Sequence, residues 1–445
     1  MTAVIKPDLS KKNAVVQLCR WGSLLLLVLG FILVWQLPVK DQPRLFATVN
    51  PAIATAPVSA TLFEQYAVSR GATRLVHAAS VVPLPDGRLF ATWFGGAREG
   101  ATDVKIYGSY FDSAAGWSEA KPIVTAAETQ QSLHRLVRKL GNPVLAVSPD
   151  QRLWLFYVSV SVGGWAGSSL NVVFSDDFGQ SWGKPQRLIT SPFMNFSTLI
   201  KGNPIWYQNG TLLLPVYHEF LGKFGELLHL DTQAQVIGKQ RLDSGRRSLQ
   251  PVLFVDNEQY ASVLMRYAGE HYPGASFLAQ TGDGGAQWRP PVVSALPNPD
   301  SALAGMSTPY GWLAVVNFNP DERDELSLVI SQDQGQTWEL LYQFHNQQQW
   351  RETGQPHTGY KEQLGVALSS LSSEHGQRVL DHVIANQCGQ SGCQHRFDYP
   401  YMVQDPAGEF HVLYTWNKSL VNHLRFNQTW LLKQMSLAGL SEVKK

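Results

Sequence analysis

The chain has 445 residues, with 36 Lys and Arg against 35 Asp and Glu and a formal net charge of +1. This balance gives no electrostatic basis for binding nucleic acid, so no nucleic-acid partner is expected. The content of 44% hydrophobic and 16% charged residues excludes general disorder, and 37 Gly, 25 Pro and 14 Trp indicate turns and aromatic strands rather than a helical bundle.

The first element in chain order is an apolar run of 17 uncharged residues over 21–37. Basic residues precede it, which favours an amino terminus inside the cell. The pattern predicts a cytoplasmic segment over 1–20, a single transmembrane helix over 21–37 in the cell inner membrane, and a linker over 38–65. The remainder is then expected to face the periplasm or the exterior. The alternative is a cleaved signal peptide with its cut site at 54–56, about twenty residues beyond the apolar run.

An apolar strand, a turn and a second apolar strand then recur six times along the chain. The copies are 77–94, 142–158, 203–218, 250–266, 301–318 and 399–416. The last interval is long because it holds a polar insertion over 345–395. Six units of about sixty residues match the size of a four-stranded blade. The repeat therefore predicts an all-β fold, a six-bladed β-propeller over 66–435.

A second motif, [ST]-x-D-x-G-x-x-W, occurs three times within the repeats, at 175–182, 281–288 and 331–338. Its Asp is suited to bind backbone amides in a turn, its Gly to adopt a positive φ, and its Trp to pack on the sheet. The motif is therefore predicted to stabilise a hairpin rather than to carry chemistry. It is the Asp box, and the chain from about residue 70 to 430 resembles the sialidase superfamily of β-propellers. The segments WFGGAREG (93–100) and PVYHE (215–219) are similar to those of bacterial predicted sialidases.

Two cysteines, Cys388 and Cys393, lie close together in the polar insertion. In an oxidising compartment this spacing favours a local disulfide, and free thiols are the nearest alternative. A zinc site that adds His395 is less favoured because a fourth ligand is not apparent.

The innermost strand of each propeller blade borders the central axis, so its corresponding residues form a ring. In all six copies the residue at the start of this strand is polar. The ring residues are His77, Asn142, Asn203, Gln250, Ser301 (or Asp300) and Tyr399. The ring is predicted to line a binding site, although polar residues also cap strands without a functional role.

The resemblance to sialidases implies specific roles for several residues. Sialidases use a tyrosine nucleophile activated by a glutamate, an aspartate acid/base and three arginines that bind the substrate carboxylate, unlike glycosidases with two carboxylates. By this resemblance Tyr399 is the nucleophile and Asp103, in the loop after the first strand pair, is the acid/base. The position of the activating glutamate holds Gln250, which cannot take a proton, and His77 stands where the first arginine is expected.

The resemblance assigns the other two carboxylate-binding arginines to Arg266 and Arg323. Arg98 is expected to contact the carboxylate or the acid, because planar guanidinium groups suit bidentate binding of anions. Glu219 or Glu99 is available to replace the missing glutamate. His77 is a further candidate base, since its ordinary pKa suits neutral chemistry.

Three functions are consistent with these residues. The first is an exo-acting glycoside hydrolase on a glycan that carries sialic or uronic acid, with no metal and no cofactor required. The second is β-elimination at a uronic acid, with His77 and Tyr399 as the proton-transfer groups. The third is a membrane-tethered glycan-binding propeller without catalysis, which Gln250 favours and the combination of Asp103 with Tyr399 opposes.

Overall fold

The computed structural model describes residues 9–36, 44–48, 60–71, 73–191, 195–242, 247–390 and 392–441. It divides into an amino-terminal unit over 1–43 and a second unit over 44–445. Each unit is described by itself below.

The described part of the amino-terminal unit is one helix, α1 (Leu9–Gln36). Its side chains over 16–30 are exposed. Among the helices of the described chain, none combines the length and the apolar composition needed to cross a membrane. The predicted transmembrane helix over 21–37 is therefore not supported. The alternative cleavage site at 54–56 lies outside the described residues.

The second unit consists of six antiparallel sheets in chain order, which confirms the predicted six-bladed propeller. The strands of blades 1 to 3 are β2 (Leu75–Pro83), β3 (Leu89–Gly96), β4 (Lys105–Asp112), β5 (Gly116–Trp117) and β6 (Lys121–Val124); β7 (Lys139–Val147), β8 (Leu153–Val160), β9 (Ser168–Ser175) and β10 (Gln186–Arg187); and β11 (Leu199–Ile200), β12 (Ile205–Trp206), β13 (Leu212–His218), β14 (Phe224–Leu230) and β15 (Val236–Arg241). The first strand of each blade is the innermost, and these strands contact one another around the ring.

Blades 4 to 6 follow the same order from inner to outer strand. Their strands are β16 (Ser248–Val255), β17 (Ala261–Tyr267), β18 (Ala275–Thr281) and β19 (Val292–Pro297); β20 (Ala304–Thr308), β21 (Gly311–Val316), β22 (Glu325–Ser331) and β23 (Glu339–Asn346); and β26 (Phe397–Gln404), β27 (Phe410–Trp416), β28 (Leu420–Phe426) and β1 (Phe63–Ala67). The amino-terminal strand β1 pairs antiparallel with β28, so the first strand of the second unit completes the last blade. This pairing closes the ring with backbone hydrogen bonds, and it begins within the segment predicted as linker.

The remaining helices cover connections between strands. They are α2 (Ala126–Leu133), α3 (His357–Leu368), α4 (Ser373–Gln387) and α5 (Gln428–Leu437). Helices α3 and α4, with the small hairpin of β24 (Cys388–Gly389) and β25 (Gly392–Cys393), lie within the insertion predicted over 345–395. A disulfide between Cys388 and Cys393 closes that hairpin, as the sequence favoured.

The Asp boxes stabilise the turns after the third strands of blades 2, 4 and 5. In the first box Asp177 Oδ1 accepts a hydrogen bond of 2.8 Å from the Ser181 amide, and Ser175 Oγ donates to the same carboxylate at 2.7 Å. Gly179 adopts a φ of 95° there, which only glycine takes without cost. The boxes therefore act structurally, and the hydrophobic core lies between facing sheets of neighbouring blades.

Candidate active site

The inner strands of four blades share an irregularity at the same point. The register shifts between His77 and Ser80, Gly141 and Val144, Leu249 and Val252, and Asp398 and Tyr401. The second residue of each four-residue segment has a positive φ: Ala78 (52°), Asn142 (43°), Gln250 (54°) and Tyr399 (53°). This conformation costs a non-glycine residue about 1–2 kcal/mol and concentrates at functional sites. The four bulges therefore turn corresponding residues out of their sheets at the same level of the ring.

This register changes the predicted ring in blades 1 and 3 and selects between the two predicted residues in blade 5. Ala78, not His77, corresponds to Tyr399, because the bulge starts one residue later than the polar pattern suggests. Asn203 has no positive φ and instead donates its Nδ2 to the Met402 carbonyl at 2.8 Å. In blade 5 the residue with a positive φ is Asp300 (50°), which is half exposed, whereas Ser301 is buried.

A chain of hydrogen bonds joins three of the bulged residues. Gln250 Nε2 donates to the Tyr399 hydroxyl at 2.9 Å and to the Tyr217 hydroxyl at 3.4 Å. Asn142 Nδ2 donates to Tyr217 at 3.1 Å, and Arg266 donates to Gln250 Oε1 at 3.2 Å. Tyr217 lies in the PVYHE segment but was not predicted as a site residue. Sequence reasoning missed its polar role because Tyr217 follows an uninterrupted run of apolar residues in β13, where it reads as another core residue.

Opposing effects act on the pKa of the Tyr399 phenol. Burial raises the pKa of its phenol, whereas the charge of Arg266 and the hydrogen bond from Gln250 act in the opposite direction. The ring of His77 packs against Tyr399 with centroids 4.3 Å apart. Burial lowers the pKa of His77 to about 4, so its imidazole is neutral at neutral pH. Its Nδ1 has no hydrogen-bond partner among the described residues and is a free proton acceptor or donor.

The two predicted arginines converge on Asp300. Arg266 Nε pairs with the Asp300 carboxylate at 2.9 Å, and Arg323 donates to the Asp300 carbonyl. Arg323 also pairs with Asp398 at 2.7 Å. Burial opposes ionisation of Asp398, but neighbouring His77 and Arg323 hold its pKa below the ordinary value. These contacts fix the orientation of both guanidinium groups. The carboxylate of Asp300, which is partly exposed, forms the ion pair with Arg266.

A buried lysine lies beneath this network and was missed by sequence reasoning. Lys201 is 3% exposed, and its Nζ donates to the Pro400 carbonyl at 2.6 Å. The ammonium lies 5.9 Å from the ring centre of Tyr399 and 5.2 Å from that of Tyr401. Burial lowers its pKa to about 7. A lone Lys between Ile200 and Gly202 carries no pattern that would have identified it.

Two glutamates stand near the network. Burial raises the pKa of Glu219, and Arg266 opposes that rise. Glu99 pairs with Lys418 at 2.6 Å. Neither forms a described hydrogen bond with Tyr399, and the charge of Glu99 raises the pKa of the Tyr399 phenol.

Asp103 and Arg98 lie in the loop after β3, apart from the Gln250–Tyr399 pair. Asp103 is exposed and accepts a hydrogen bond of 2.9 Å from the Ala97 amide, which closes the loop. Arg98 is exposed and lines a cavity beside the site rather than contacting Arg266 or Arg323. Their predicted roles in catalysis and binding remain predictions.

Two groups of potential metal ligands occur in the described residues. In the first, Asp405, Glu409 and His411 place donor atoms within 4.8 Å of one another, but Glu409 pairs with Arg425 at 2.7 Å. In the second, His357 lies beside Cys388 and Cys393, whose sulfur atoms are bonded to each other. The donors are engaged within the protein in both groups, and neither includes a residue of the Tyr399 network.

Comparison with models of known protein families identifies the family of the chain. The BNR repeat-like domain matches residues 87–412. This range covers most of the propeller, and the chain belongs to that family. No curated protein matches the chain.

Solved structures show the same fold at low sequence identity. The chain is similar to a Hadza microbial sialidase (TM-score 0.56, 14% identity, 80% of this chain and 66% of that one) and to the NanB sialidase of Streptococcus pneumoniae (0.54, 10%, 80% and 69%). It is also similar to a protein of unknown function from Dyadobacter fermentans (0.57, 11%, 82% and 98%). The chain thus spans about two thirds of the length of the two sialidases and nearly all of the third protein. At these identities the likeness concerns the fold alone.

Proposed function

We propose that this member of the BNR repeat-like family is a glycoside hydrolase that releases a terminal carboxylate-bearing sugar, a sialic or uronic acid, from a glycan. The observation that carries the proposal is the hydroxyl of Tyr399, turned out of its strand by a strained backbone and bound at 2.9 Å by Gln250. A partly buried tyrosine placed between a cation and an amide donor supports a role as nucleophile, because both groups stabilise the phenolate. The sialidase fold of the similar structures supports the reaction class.

The proposed reaction assigns one bond change to each group. The phenolic oxygen of Tyr399 attacks the anomeric carbon while the glycosidic C–O bond breaks, and Asp103 gives its proton to the leaving oxygen. Gln250 donates an N–H to the developing phenolate but cannot take the proton. Glu219 or Glu99, the two carboxylates near the network, is the proposed acceptor of the phenol proton, because the lowered pKa of His77 makes its imidazole too weak a base. Water then cleaves the bond between Tyr399 and the sugar, with Asp103 as base.

Arg266 and Arg323 are the proposed ligands of the sugar carboxylate. Asp300 now occupies Arg266, so a bound substrate would displace an internal carboxylate from a guanidinium that is already oriented. Such a fixed group loses little conformational entropy when it binds an anion.

We further propose that the propeller acts outside the cytoplasm. The Cys388–Cys393 disulfide supports this location, because such bonds persist mainly in oxidising compartments.

A non-catalytic glycan-binding propeller is the second candidate, and Gln250 favours it. Where the family resemblance implies a glutamate, this chain has an amide, and an amide binds sugars without catalysing their hydrolysis.

Hydrolysis of fluorogenic sialic-acid and uronic-acid glycosides by the full chain tests the proposal. Tyr399→Phe and Asp103→Ala are expected to abolish release of the sugar, while calorimetric binding of the free acid persists in Tyr399→Phe. Tyr401→Phe is the matched control, because Tyr401 is a buried tyrosine on the same strand outside the hydrogen-bond network. Binding without turnover in the wild type would support the glycan-binding alternative, and an unsaturated uronate product detected by absorbance would indicate a lyase.

A further inference from the structure

A cavity lies between blade 1, blade 6 and the helical insertion, and two of its lining residues, Arg396 and Lys418, pair with Asp398 and Glu99 near the proposed active site. Its volume is about 670 Å³, within the range of pockets that hold a small ligand. The residues used here to define this side cavity are Arg74, Arg98, Asn386, Gln387, Arg396 and Lys418.

The charged groups that line the side cavity are all positive. Two of them are neutralised from outside the cavity, since Lys418 pairs with Glu99 at 2.6 Å and Arg396 with Asp398 at 2.8 Å. Arg74 and Arg98 have no acidic partner among the described residues. Arg74 Nε instead donates to the Asn386 side-chain carbonyl at 3.0 Å. Two unneutralised guanidinium groups facing one cavity attract an anion.

The wall formed by the insertion is held in place by hydrogen bonds to the propeller. Gln387 Nε2 donates to the Asn417 carbonyl at 2.7 Å, and Asn417 Nδ2 donates to the hydroxyl of Tyr360 in α3 at 2.9 Å. The Cys388–Cys393 disulfide closes the chain directly after α4. The side cavity is therefore largely formed before any ligand binds, which lowers the entropic cost of binding.

Two contacts connect the side cavity to the proposed active site. Arg396 and Arg323 bind opposite oxygens of Asp398, the residue before Tyr399. On the other side, Ala97 and Arg98 line the side cavity, and the Ala97 amide holds Asp103. Because Asp103 is the proposed donor to the leaving oxygen, a glycan bound for hydrolysis would direct its leaving group toward the side cavity.

We propose that the side cavity binds a second anionic sugar, the unit that follows the released one in the glycan. Its carboxylate or sulfate binds Arg98 and Arg74, and its hydroxyls donate to the side-chain oxygens of Asn386 and Gln387, whose amide nitrogens are engaged within the protein. This inference rests on the proposed hydrolase for its orientation, but the binding of an acidic sugar by the side cavity is measurable without turnover.

Kinetics with matched disaccharides test the proposal on the full chain. Three substrates share the same terminal acid and differ in the second sugar, which is neutral, carboxylated or sulfated. The wild type is expected to show a KM at least about tenfold lower for an acidic second sugar, with a similar kcat. The Arg74→Gln, Arg98→Gln double variant is expected to remove this preference, and added salt is expected to weaken it. A preference for only one of the two acidic sugars identifies which anion the side cavity binds.

Arg289→Gln is the matched control, because Arg289 is exposed on blade 4 and does not line the side cavity. If the chain turns over all three substrates with equal KM, or the double variant keeps the preference, the side-cavity proposal is wrong while the hydrolase stands. If there is no turnover, calorimetry with the acidic and neutral disaccharides on Tyr399→Phe separates the two ideas. Tighter binding of the acidic disaccharide that the double variant abolishes supports the side cavity alone, and equal binding overturns it.

Discussion

Gln250 Nε2 donates a hydrogen bond of 2.9 Å to the hydroxyl of Tyr399, across the ring from blade 4 to blade 6. Both residues have a left-handed backbone, so two strained positions meet in one contact. The amide stabilises a phenolate but cannot create one, and the proton of Tyr399 must go elsewhere. The activity of this pair is therefore expected to depend on what occupies position 250.

Gln250→Glu is expected to raise kcat for an acidic glycoside by up to about 10²-fold, because it places a base within hydrogen-bond distance of the attacking hydroxyl. Arg266 already donates a hydrogen bond of 3.2 Å to the side-chain oxygen Oε1 of Gln250. Its positive charge is therefore positioned to keep the new carboxylate ionised. The pH dependence of kcat/KM measures the effect, since a new acidic limb reports the glutamate.

Asn142→Asp is the control for this substitution, because it adds a carboxylate to the same ring at a residue that bonds Tyr217 rather than Tyr399. An equal gain in both variants would show that added negative charge, not a base at position 250, is responsible. No gain in Gln250→Glu would mean that a different group, such as Glu219, already supplies the base.

We expect Lys201 to lower the free energy of unfolding while it contributes to the reaction. Burial lowers its pKa to about 7, so at neutral pH the folded protein carries a partly charged, buried ammonium whose described hydrogen-bond partner is one carbonyl. Lys201→Met is expected to raise the free energy of unfolding at pH 7 by on the order of 1–4 kcal/mol and to lower kcat by tenfold or more. Urea denaturation and kinetics on the same samples measure both effects.

The pH dependence provides a further check on Lys201. Between pH 7 and 10.5 the unfolded chain binds this proton and the folded chain does not, so the wild-type stability from this group rises with pH. The stabilising effect of Lys201→Met is therefore expected to shrink toward pH 10. A constant difference between the two proteins across this range would contradict a buried, titrating lysine.

The repeat and the Asp boxes predicted the fold correctly because both depend on local chemistry. An Asp, a Gly and a Trp at fixed spacing specify one turn, and alternating apolar strands specify one sheet. The ring of site residues was harder to predict. Each bulge contains a residue with a positive φ. The spacing of polar residues along the sequence does not show whether that residue in blade 1 is His77 or Ala78.

The site residues that sequence reasoning missed are those whose roles arise only across blades. Tyr217 bonds residues from blades 2 and 4, and Lys201 of blade 3 bonds a carbonyl of blade 6. These contacts join positions far apart in sequence, so only the closed ring brings them together. For the same reason the insertion was predicted as an insertion but not as the wall of a cavity.

Asp177→Ala tests the structural role of the Asp boxes. The substitution leaves the Ser181 amide and the Ser175 hydroxyl without their acceptor, and is expected to cost about 1–3 kcal/mol of unfolding free energy. Activity per folded molecule is expected to stay unchanged, because the box lies at the far end of β9, on the outer part of blade 2. A change in KM or kcat at constant folded fraction would show that the box contributes to the site.

Acid sensitivity is expected from buried, neutral histidines. Burial lowers the pKa of His345 to about 3, and those of His77 and His395 to about 4. Below pH 6.5 each of these residues binds a proton in the unfolded chain but not in the folded one, so protonation stabilises the unfolded state. Stability is therefore expected to fall steadily as the pH decreases from 6.5 toward 5, above the range in which most carboxylates titrate.

His345→Phe isolates one of these contributions. The ring of His345 stacks on Phe397 with centroids 4.2 Å apart, so a phenyl group can replace the imidazole within the same packing. The variant is expected to reduce the slope of unfolding free energy against pH by about 1.4 kcal/mol per pH unit between pH 6 and 4.5. Urea denaturation at several pH values measures the slope.

His271→Gln is the control, because His271 is exposed and its replacement is expected to leave the slope unchanged. Equal slopes for the wild type and His345→Phe would mean that His345 is protonated in the folded protein, and that its burial among aromatic rings does not exclude the charge.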